Sequence, residues 1–399
     1  MTPTRRSFVW TLGLTAMGSR GSAFALRGSE ASFAALQDDA PRAPRAPLPK
    51  DAIRLDSNEN PYGPGPVVID AVGKALRDGN RYPRSSMELS EALVPYLGVK
   101  DQTILLAAGS GDLLRASVQA FTGPDKAIVA FSPTFESPLR LAELMKAPVR
   151  RIRIKEGALA LDLPELVAQS KGAGLVYLCN PNNPTGTFLT KAAVTEAVAE
   201  ISRTSPQTVV LVDEAYFDCA DDPAYGSVAA LAAETPNVIV ARTFSKIHGL
   251  AGLRVGYAVA QPATLARLRL FAGQGVVTGV SAAAALASLQ DKTHYAESRR
   301  LNLETKAFTM KALTAMGHAP VASQGNFVMV DVKRNVKTFQ EACRKKSVFV
   351  ARPFPPLDTY ARITVGTRAE MERAVEVFES VIESTSDSGS VPSNQLDIP

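Results

Sequence analysis

The stretch "ARTFSKIHGLAGLRVGY" at residues 241–257 places a lysine, Lys246, on a turn rich in small residues. The turn follows the apolar run "NVIV", and Arg254 lies eight residues beyond the lysine. In a partly dry site beside a second cation, the charged form of a lysine is disfavoured. The neutral amine is then a nucleophile and a base. We therefore interpret Lys246 as a reactive residue, with Arg254 as its neighbouring cation.

A phosphate site is predicted around this lysine. The segment "GSGDLLRASVQAF" is a Gly-Ser-Gly turn that opens a helix, where free backbone N–H groups and the helix dipole attract anions. Taken alone, such a turn is also common in ordinary loops. An arginine adds a bidentate phosphate partner. The candidate phosphate donors are Gly109, Ser110, Gly111, Thr243, Ser245 and Arg254.

Four further residues suit an aromatic nitrogen heterocycle. Asp213 comes directly after "TVVLV", and a carboxylate at the end of a buried strand needs a cation, donors or a helix cap. One such cation is a pyridinium nitrogen. Tyr216 follows three residues later and could reach a phenolic oxygen on the ring. Asn183, in "CNPNNPTG", precedes a proline, and a cis peptide bond there would aim its side chain at the same oxygen. Phe135 in "SPTFESP" offers a flat apolar face for a ring.

A phosphate cradle, a pyridinium partner, phenolate donors, a stacking ring and a lysine together indicate pyridoxal 5′-phosphate (PLP). Lys246 would form the Schiff base with this cofactor and shuttle protons after its release. No metal site is expected, because the three cysteines lack CxxC spacing and there are only three histidines.

The elements that must position these residues are short apolar runs alternating with helical stretches. The runs are "TILLAA", "AIVAF", "VRRIRI", "GLVYLCN", "TVVLVDEAY", "NVIVART" and "RVGYAVA". This pattern predicts an α/β fold with a mostly parallel sheet, whose strand carboxyl ends carry the site. The predicted large domain covers residues 75–290. Residues 51–74 and 291–383, with "NFVMVDV" and "ARITVG", are predicted to form a smaller α+β domain.

The motifs occur in the order found in histidinol-phosphate aminotransferases, within the fold-type I (class I and II) PLP-dependent aminotransferases. They include "SNENPYGPGP", "RYP", "GSGD", "NPNNPTG", "SKIHGLAGLRVGY", "SQGNF" and "RITVGT", from about Arg54 to Thr367. The resemblance implies a seven-stranded sheet and ping-pong transfer of an amino group to a 2-oxo acid. It implies a homodimer in which Tyr82 reaches the phosphate of the neighbouring subunit. It also implies that Arg362 binds an anionic substrate group, and that Asn326, Asn58 and Tyr62 line the substrate side.

The chain departs from its family in ways that leave questions open. Phe135 stands where the family commonly has tyrosine, so stacking is kept and a hydroxyl contact is lost. Arg352 is either a second cation facing the substrate or a member of a surface ion pair. Reaction type also stays open, because a decarboxylase or lyase is possible on the same fold. A cofactor-holding binding protein is disfavoured, since no DNA-binding motif is evident.

The first 25 residues have the layout of a secretory signal. Arg5 and Arg6 precede an apolar stretch and the small-x-small pattern Ala23-Phe24-Ala25, and the arginine pair resembles the twin-arginine export signal. Without Arg5, Arg6 and Arg20, the 44 basic residues fall to 41 against 39 acids, which gives no reason to expect nucleic acid as a partner. We expect a periplasmic or secreted protein, or a cytoplasmic one if these residues are not a signal. Residues 26–50 read as a Pro/Ala-rich arm, and residues 384–399 as a disordered tail.

Overall fold

A seven-stranded sheet forms the centre of the computed structural model, which describes residues 48–83, 85–155, 157–272 and 277–383. The strands are β1 (Ile53–Leu55), β2 (Ile104–Ala107), β3 (Ile128–Ser132), β4 (Val149–Arg153), β5 (Leu175–Cys179), β6 (Val209–Asp213), β7 (Val238–Thr243), β8 (Gly256–Ala260), β9 (Pro320–Val321), β10 (Phe327–Asp331), β11 (Val348–Val350) and β12 (Tyr360–Thr364). The central sheet has the order β2-β8-β7-β6-β5-β3-β4. Its neighbours pair in parallel except at β8, which is antiparallel to both β7 and β2. The predicted mostly parallel α/β sheet is confirmed.

The central strands are continuously apolar because both of their faces are covered. Every residue of β5, β6, β7 and β8 is buried. Alternate residues of one strand enter two separate cores: Val176 lies in one with the helical Val194, and Leu175 lies in the other with the helical Leu113. Helices on both faces of a parallel sheet explain why these runs do not alternate with polar residues.

Many of the α-helices begin after a residue whose side chain accepts from the first turn, or with a proline, which has no N–H to satisfy. They span Pro66–Leu76, Ser85–Leu97, Ser110–Phe121, Ser137–Leu144, Leu163–Gln169, Lys191–Thr204, Ala229–Glu234, Pro262–Arg269, Gly279–Gln290, Lys292–Ala315, Val336–Lys345 and Arg368–Glu383. Thr190 accepts a hydrogen bond from the backbone N–H of Ala193, and Asp291 accepts one from that of His294. Such caps satisfy N–H groups that have no partner inside the helix.

A third apolar core lies between the smaller strands and the last two helices. β9, β10 and β12 form an antiparallel sheet, and β1 pairs in parallel with β11. Leu55, Val330, Phe339, Ile363 and Phe378 are among the side chains buried in this core. It supports β12 and the loop after β1, which carry Arg362 and Asn58.

The helix Pro66–Leu76 packs with the large sheet. It contacts the helix Gly279–Gln290, and its Val68 lies in a core on one face of that sheet. Residues 66–74 thus pack on a helix of residues 75–290, although the sequence grouped residues 51–74 with the smaller domain. The amphipathic pattern of a helix shows that it packs on something, but not on which element.

The predicted signal at residues 1–25, most of the arm and the tail at residues 384–399 lie outside the described residues. Among the residues that are described, none of the helices is both long and apolar enough to span a membrane. The same part of the chain holds no group of three or more His, Cys, Asp or Glu side chains placed to bind a metal ion.

Candidate active site

The candidate site lies where the parallel strands end. Asp213 is the last residue of β6 and Thr243 is the last residue of β7, and "NPNNPTG" follows β5 directly. Because neighbouring parallel strands end at the same edge of a sheet, these residues come together at that edge. The Asn183–Pro184 peptide is cis.

Gly109 and Arg254 form the phosphate side of the site. Gly109 has φ 82° and ψ 161° and immediately precedes the helix Ser110–Phe121. A Cβ on Gly109 would lie 2.3 Å from Nη2 of Arg254, so the glycine leaves the space that the guanidinium occupies. Nη1 of Arg254 lies 3.5 Å from Oγ of Ser245, and the Ser245 backbone N–H donates to Oγ1 of Thr243 at 3.1 Å. A helix N-terminus, two hydroxyls and a cation therefore converge.

The N-terminus of the helix Ser110–Phe121 also packs closely against β8. A Cβ on Gly256 would lie 2.5 Å from the backbone nitrogen of Ser110, so this strand can approach the turn only with glycine at that position. Gly111 is in open space, with no atom within 4 Å of a Cβ built on it. Of the three predicted Gly-Ser-Gly residues, Gly109 is the one whose missing side chain makes room for a cation.

Asp213 is buried and held by two donors. Its Oδ2 accepts from the Tyr177 hydroxyl at 3.1 Å, and its Oδ1 accepts from the backbone N–H of Ala215 at 3.2 Å. Burial raises the pKa of Asp213 to about 6, against the lowering effect of the Tyr177 hydrogen bond. Sequence reasoning missed Tyr177. The signal for it was a tyrosine inside a strand buried on both faces, since such a hydroxyl needs a partner.

The neighbouring Glu214 locks this strand end in place. Its carboxylate forms a buried ion pair with Arg242 at 2.9 Å and accepts from Ser227 Oγ and the Val228 backbone N–H. Arg242 lies on β7, beside the strand that ends in Asp213. A buried, hydrogen-bonded ion pair of this kind helps to fix the geometry of the segment that carries the functional carboxylate.

Lys246 points toward the loop after β1. Its Nζ donates to the backbone oxygen of Asn58 at 2.9 Å. Burial and, after it, the positive charge of Arg362 lower the pKa of Lys246 to about 8. The predicted shift toward the neutral amine is therefore present. The expectation that Arg254 provides the cation is corrected, because Arg254 lies against Gly109 and Ser245 while Arg362 faces the amine.

Asn58 connects the lysine to the substrate side. It has φ 53°, and its side-chain Nδ2 donates to the Tyr216 hydroxyl at 3.0 Å. Its Oδ1 accepts from Oγ1 of Thr364 at 3.0 Å, and its backbone oxygen also accepts from Nδ2 of Asn326 at 3.0 Å. Since the Tyr216 oxygen accepts from Asn58, its own proton is available to donate to a ligand.

Arg362 and Asn183 lie together. Nη1 of Arg362 donates to Oδ1 of Asn183 at 2.7 Å, and Nη2 donates to the backbone oxygen of Asp56 at 2.7 Å. The first bond orients the Asn183 amide so that its Nδ2 is the end left to donate to a phenolate oxygen. Burial lowers the pKa of Arg362 to about 10, and its guanidinium lies 4.9 Å from the centre of the Phe354 ring.

The remaining predicted residues lie at the margins. Tyr62 lines a small cavity with Lys246 and Asn326. Phe135 is 38% exposed and Tyr82 is 98% exposed. Arg352 forms an ion pair with Glu136 at 2.7 Å, and its side chain is 54% exposed. Arg352 thus forms a surface ion pair, and its guanidinium also lies over the Phe354 ring, 4.5 Å from the ring centre, as that of Arg362 does at 4.9 Å.

These residues fit PLP. The guanidinium fills the space beside Gly109 at a helix N-terminus, which gives an anion cradle suited to a phosphate. Asp213 is a buried carboxylate held by two neutral donors, and a protonated ring nitrogen would supply the missing cation. Tyr216 and Asn183 would donate hydrogen bonds to the ring oxygen. Lys246 has an amine whose pKa is lowered to about 8, so its neutral form is accessible.

Comparison with known proteins agrees with this geometry. The family "Aminotransferase class I and II" matches residues 50–378. Histidinol-phosphate aminotransferase of Symbiobacterium thermophilum is 35% identical over 336 residues, which cover 83% of this chain and 91% of that protein. The enzyme of the same name from Moorella thermoacetica is 34% identical over 346 residues, covering 84% and 86%.

A solved structure gives the same result. Histidinol-phosphate aminotransferase from Sinorhizobium meliloti, determined in complex with PLP, superimposes with a TM-score of 0.76 at 28% identity and covers 84% of this chain and 91% of that one. The sequence left a decarboxylase or lyase open, but the matched family and relatives are transaminases. The chain belongs to the class I and II aminotransferases and is a PLP-dependent transaminase of fold type I.

Proposed function

We propose that this transaminase takes its amino group from a donor that carries an anionic group, such as histidinol phosphate, and passes it to a 2-oxo acid. Arg362 is the observation that carries this proposal. Its side chain is buried, its positive charge acts on Lys246, and its Nε is buried with no hydrogen-bond partner among the described residues. An anionic group would supply that acceptor and offset the burial of the cation. The relatives named above bear the name of this donor.

The residues of the chain divide the work of the reaction. When bound, PLP supplies an aldehyde that condenses with amines and a ring that withdraws electrons from the α-carbon of the donor. Asp213 would hold a proton on the ring nitrogen, and Tyr216 and Asn183 would donate to the ring oxygen. Lys246 would take a proton from the α-carbon of the donor and, in the second half-reaction, give one to the α-carbon that comes from the 2-oxo acid. Its hydrogen bond to the Asn58 backbone oxygen orients the amine.

A two-substrate assay tests the proposed donor. The purified chain, loaded with PLP, is given L-histidinol phosphate and 2-oxoglutarate, and glutamate is measured. We expect turnover that falls by at least about 100-fold in Lys246→Ala, which lacks the nucleophile and base. Release of CO2 without any need for the 2-oxo acid would contradict the proposal. If other amino acids are turned over and histidinol phosphate is not, the chain is still a transaminase but the proposed donor is wrong.

We further propose that the active unit is a homodimer. The family resemblance implies that Tyr82 completes the site of a second copy, and in a single chain its side chain is almost fully exposed. Val67, Ile69 and Met87 are large apolar side chains exposed on the neighbouring helices. A second copy covering this surface would bury them.

Mixing two inactive variants tests the dimer. Tyr82→Ala and Lys246→Ala are mixed, dissociated and reassociated. In a mixed dimer, one site holds an intact Lys246 with an intact Tyr82 from the other copy, so activity returns. The double variant carrying both changes on one chain, reassociated alone, is the control and stays inactive. No recovery in the mixture, with mixed dimers shown by mass, would contradict a shared site.

We propose that residues 1–25 direct export of the folded, cofactor-loaded protein. The arginine pair, the apolar stretch and the small-x-small pattern support this proposal. Cell fractionation and sequencing of the mature N-terminus test it, with Arg5→Lys and Arg6→Lys together as the variant that should block export. If the wild type and the double variant are both found unprocessed in the cytoplasm, the proposal is contradicted.

A further inference from the structure

Three asparagines occur in the loop after β5 (residues 180–190), and only Asn183 has a role in the site described above. Asn180 closes this loop on itself. Its Nδ2 donates to the Leu189 backbone oxygen at 3.0 Å, and its Oδ1 accepts from the Leu189 backbone N–H at 2.8 Å. Asn182 is 1% exposed and reaches out of the loop instead. The contacts of Asn182 therefore indicate a different task.

Asn182 spans the gap to the loop after β3 (residues 133–136). Its Oδ1 accepts from the Thr134 hydroxyl at 2.8 Å, and its Nδ2 donates to the Pro133 backbone oxygen at 3.2 Å. Rotating the amide would place its oxygen against the Pro133 carbonyl oxygen, so the observed orientation is the one that pairs both ends. β3 and β5 are neighbours in the sheet, and the side chain of Asn182 thus joins the two loops that leave these strands.

A chain of hydroxyl groups holds Asn182 from its own loop. Its Nδ2 also donates to Oγ1 of Thr185 at 2.9 Å. Thr187 donates to the Leu159 backbone oxygen at 3.3 Å, so its Oγ1 accepts from Thr185 at 2.7 Å. All protons of this chain point the same way, and hydrogen bonds aligned in this manner strengthen one another. Asn182 is therefore fixed from both loops.

The residues that follow Thr134 and Asn182 are Phe135, the predicted stacking residue, and Asn183. Arg362 orients the Asn183 amide through its 2.7 Å hydrogen bond to Oδ1, but the position of the Asn183 backbone depends on its own loop. We propose that Asn182 and Thr134 are positioning residues, which hold the loops after β3 and β5 together and so place the Asn183 amide at the ring oxygen of PLP. Neither side chain needs to touch the cofactor, because a supporting shell of hydrogen bonds sets the geometry of the residues that do.

The colour of bound PLP reports on this arrangement without any turnover. A hydrogen bond from Asn183 would draw negative charge from the ring oxygen, and this would lower the pKa of the nitrogen that joins PLP to Lys246. The visible band of the PLP-loaded full chain is therefore titrated with pH. Thr134→Val removes the hydroxyl and nearly keeps the shape of the side chain. It should shift the midpoint to higher pH by about one unit, the size of effect that loss of a hydrogen bond to a charged group produces.

Matched variants separate positioning from stability. Thr134→Ser keeps the hydroxyl and should keep the wild-type midpoint, whereas Thr134→Ala, which differs from it only in the hydroxyl, should shift the midpoint even if Thr134→Val folds poorly. Thr309→Val loses a hydroxyl that is also buried and donates to the Thr305 backbone oxygen at 2.8 Å within the helix Lys292–Ala315. Its midpoint should be unchanged. Asn183→Ala lacks the donor itself and sets the largest shift expected.

Three results would overturn the inference. If Thr134→Val and Thr134→Ala unfold at lower urea concentration but titrate as the wild type does, the hydroxyl only stabilises the fold. If Thr134→Ser shifts the midpoint as far as Thr134→Ala, the hydroxyl is not the cause. If Asn183→Ala leaves the midpoint unchanged, there is no donor at the ring oxygen to be positioned. No amino donor takes part in this measurement, so its outcome does not depend on the proposed donor.

Discussion

Gly109→Ala should weaken the cofactor site as well as the fold. A Cβ at this position would lie 2.3 Å from Nη2 and 2.9 Å from Cζ of Arg254. The guanidinium is the end of a flexible side chain, so it moves away and the clash itself costs little stability. The backbone, at φ 82° and ψ 161°, lies in a region that side chains disfavour, and we expect a loss of ~1–3 kcal/mol in unfolding free energy.

The loss in cofactor affinity follows from the displaced arginine. A charge-assisted hydrogen bond is worth ~1.5–3 kcal/mol, so losing one from Arg254 to the phosphate should raise the Kd for PLP by about 10- to 100-fold. The Kd is measured by titrating the apoprotein with PLP and following visible absorbance, and apoprotein stability is measured by urea unfolding.

Gly111→Ala is the matched control. No atom lies within 4 Å of its Cβ and the backbone N–H is kept, so the Kd should stay within about twofold and stability should be equal or higher. Unchanged PLP affinity in Gly109→Ala, at any stability, would refute the assignment of Arg254 to a phosphate cradle beside this glycine.

Three other changes test individual contacts. Tyr177→Phe removes the donor to Oδ2 of Asp213 and should raise the carboxyl pKa above about 6 in the apoprotein, as measured by carbon NMR titration; an unchanged titration would contradict the hydrogen bond. Arg362→Gln removes a positive charge that acts on Lys246 and should raise the pKa of its amine from about 8 toward the ordinary value. The rate of PLP uptake by the apoprotein should then rise with pH at a higher midpoint. A midpoint that stays at about 8 would show that burial alone lowers this pKa. Arg352→Ala breaks an exposed ion pair and should change the unfolding free energy by less than ~1 kcal/mol. It should also leave the KM for the amino donor unchanged, and a large rise in this KM would show that Arg352 contacts the substrate.

The fold was predictable because its signals are local. Continuous apolar runs such as "TVVLV" and "NVIV" predicted strands covered on both faces, and β6 and β7 are buried throughout. The positions of Asp213 and Thr243 followed from the same reasoning, since each is the last residue of its strand. Neighbouring parallel strands then place the two residues side by side without further information.

Long-range contacts were less accessible. The sequence spacing of Lys246 and Arg254 suggested that they interact, but the turn carries Arg254 back to Gly109. Arg362, more than a hundred residues away, reaches the amine through the packing of β12. Asn302, which lines the small cavity beside Lys246, gave no signal, because a single asparagine inside a long helix is typical of an ordinary polar position. Which side chain faces a cavity is a property of tertiary packing.

A single half-reaction tests the central claim most directly. The full chain, loaded with PLP, receives L-histidinol phosphate without any 2-oxo acid, and the visible absorbance of the cofactor is followed. We predict that the visible band of bound PLP is replaced by the band of the amine form of the cofactor, and that adding 2-oxoglutarate restores the PLP band. Lys246→Ala should show neither the loss of the PLP band nor its return. A band that is unaltered by histidinol phosphate, and altered by other amino donors, would contradict the proposed donor; a band that no amino donor alters would contradict the catalytic role of this site.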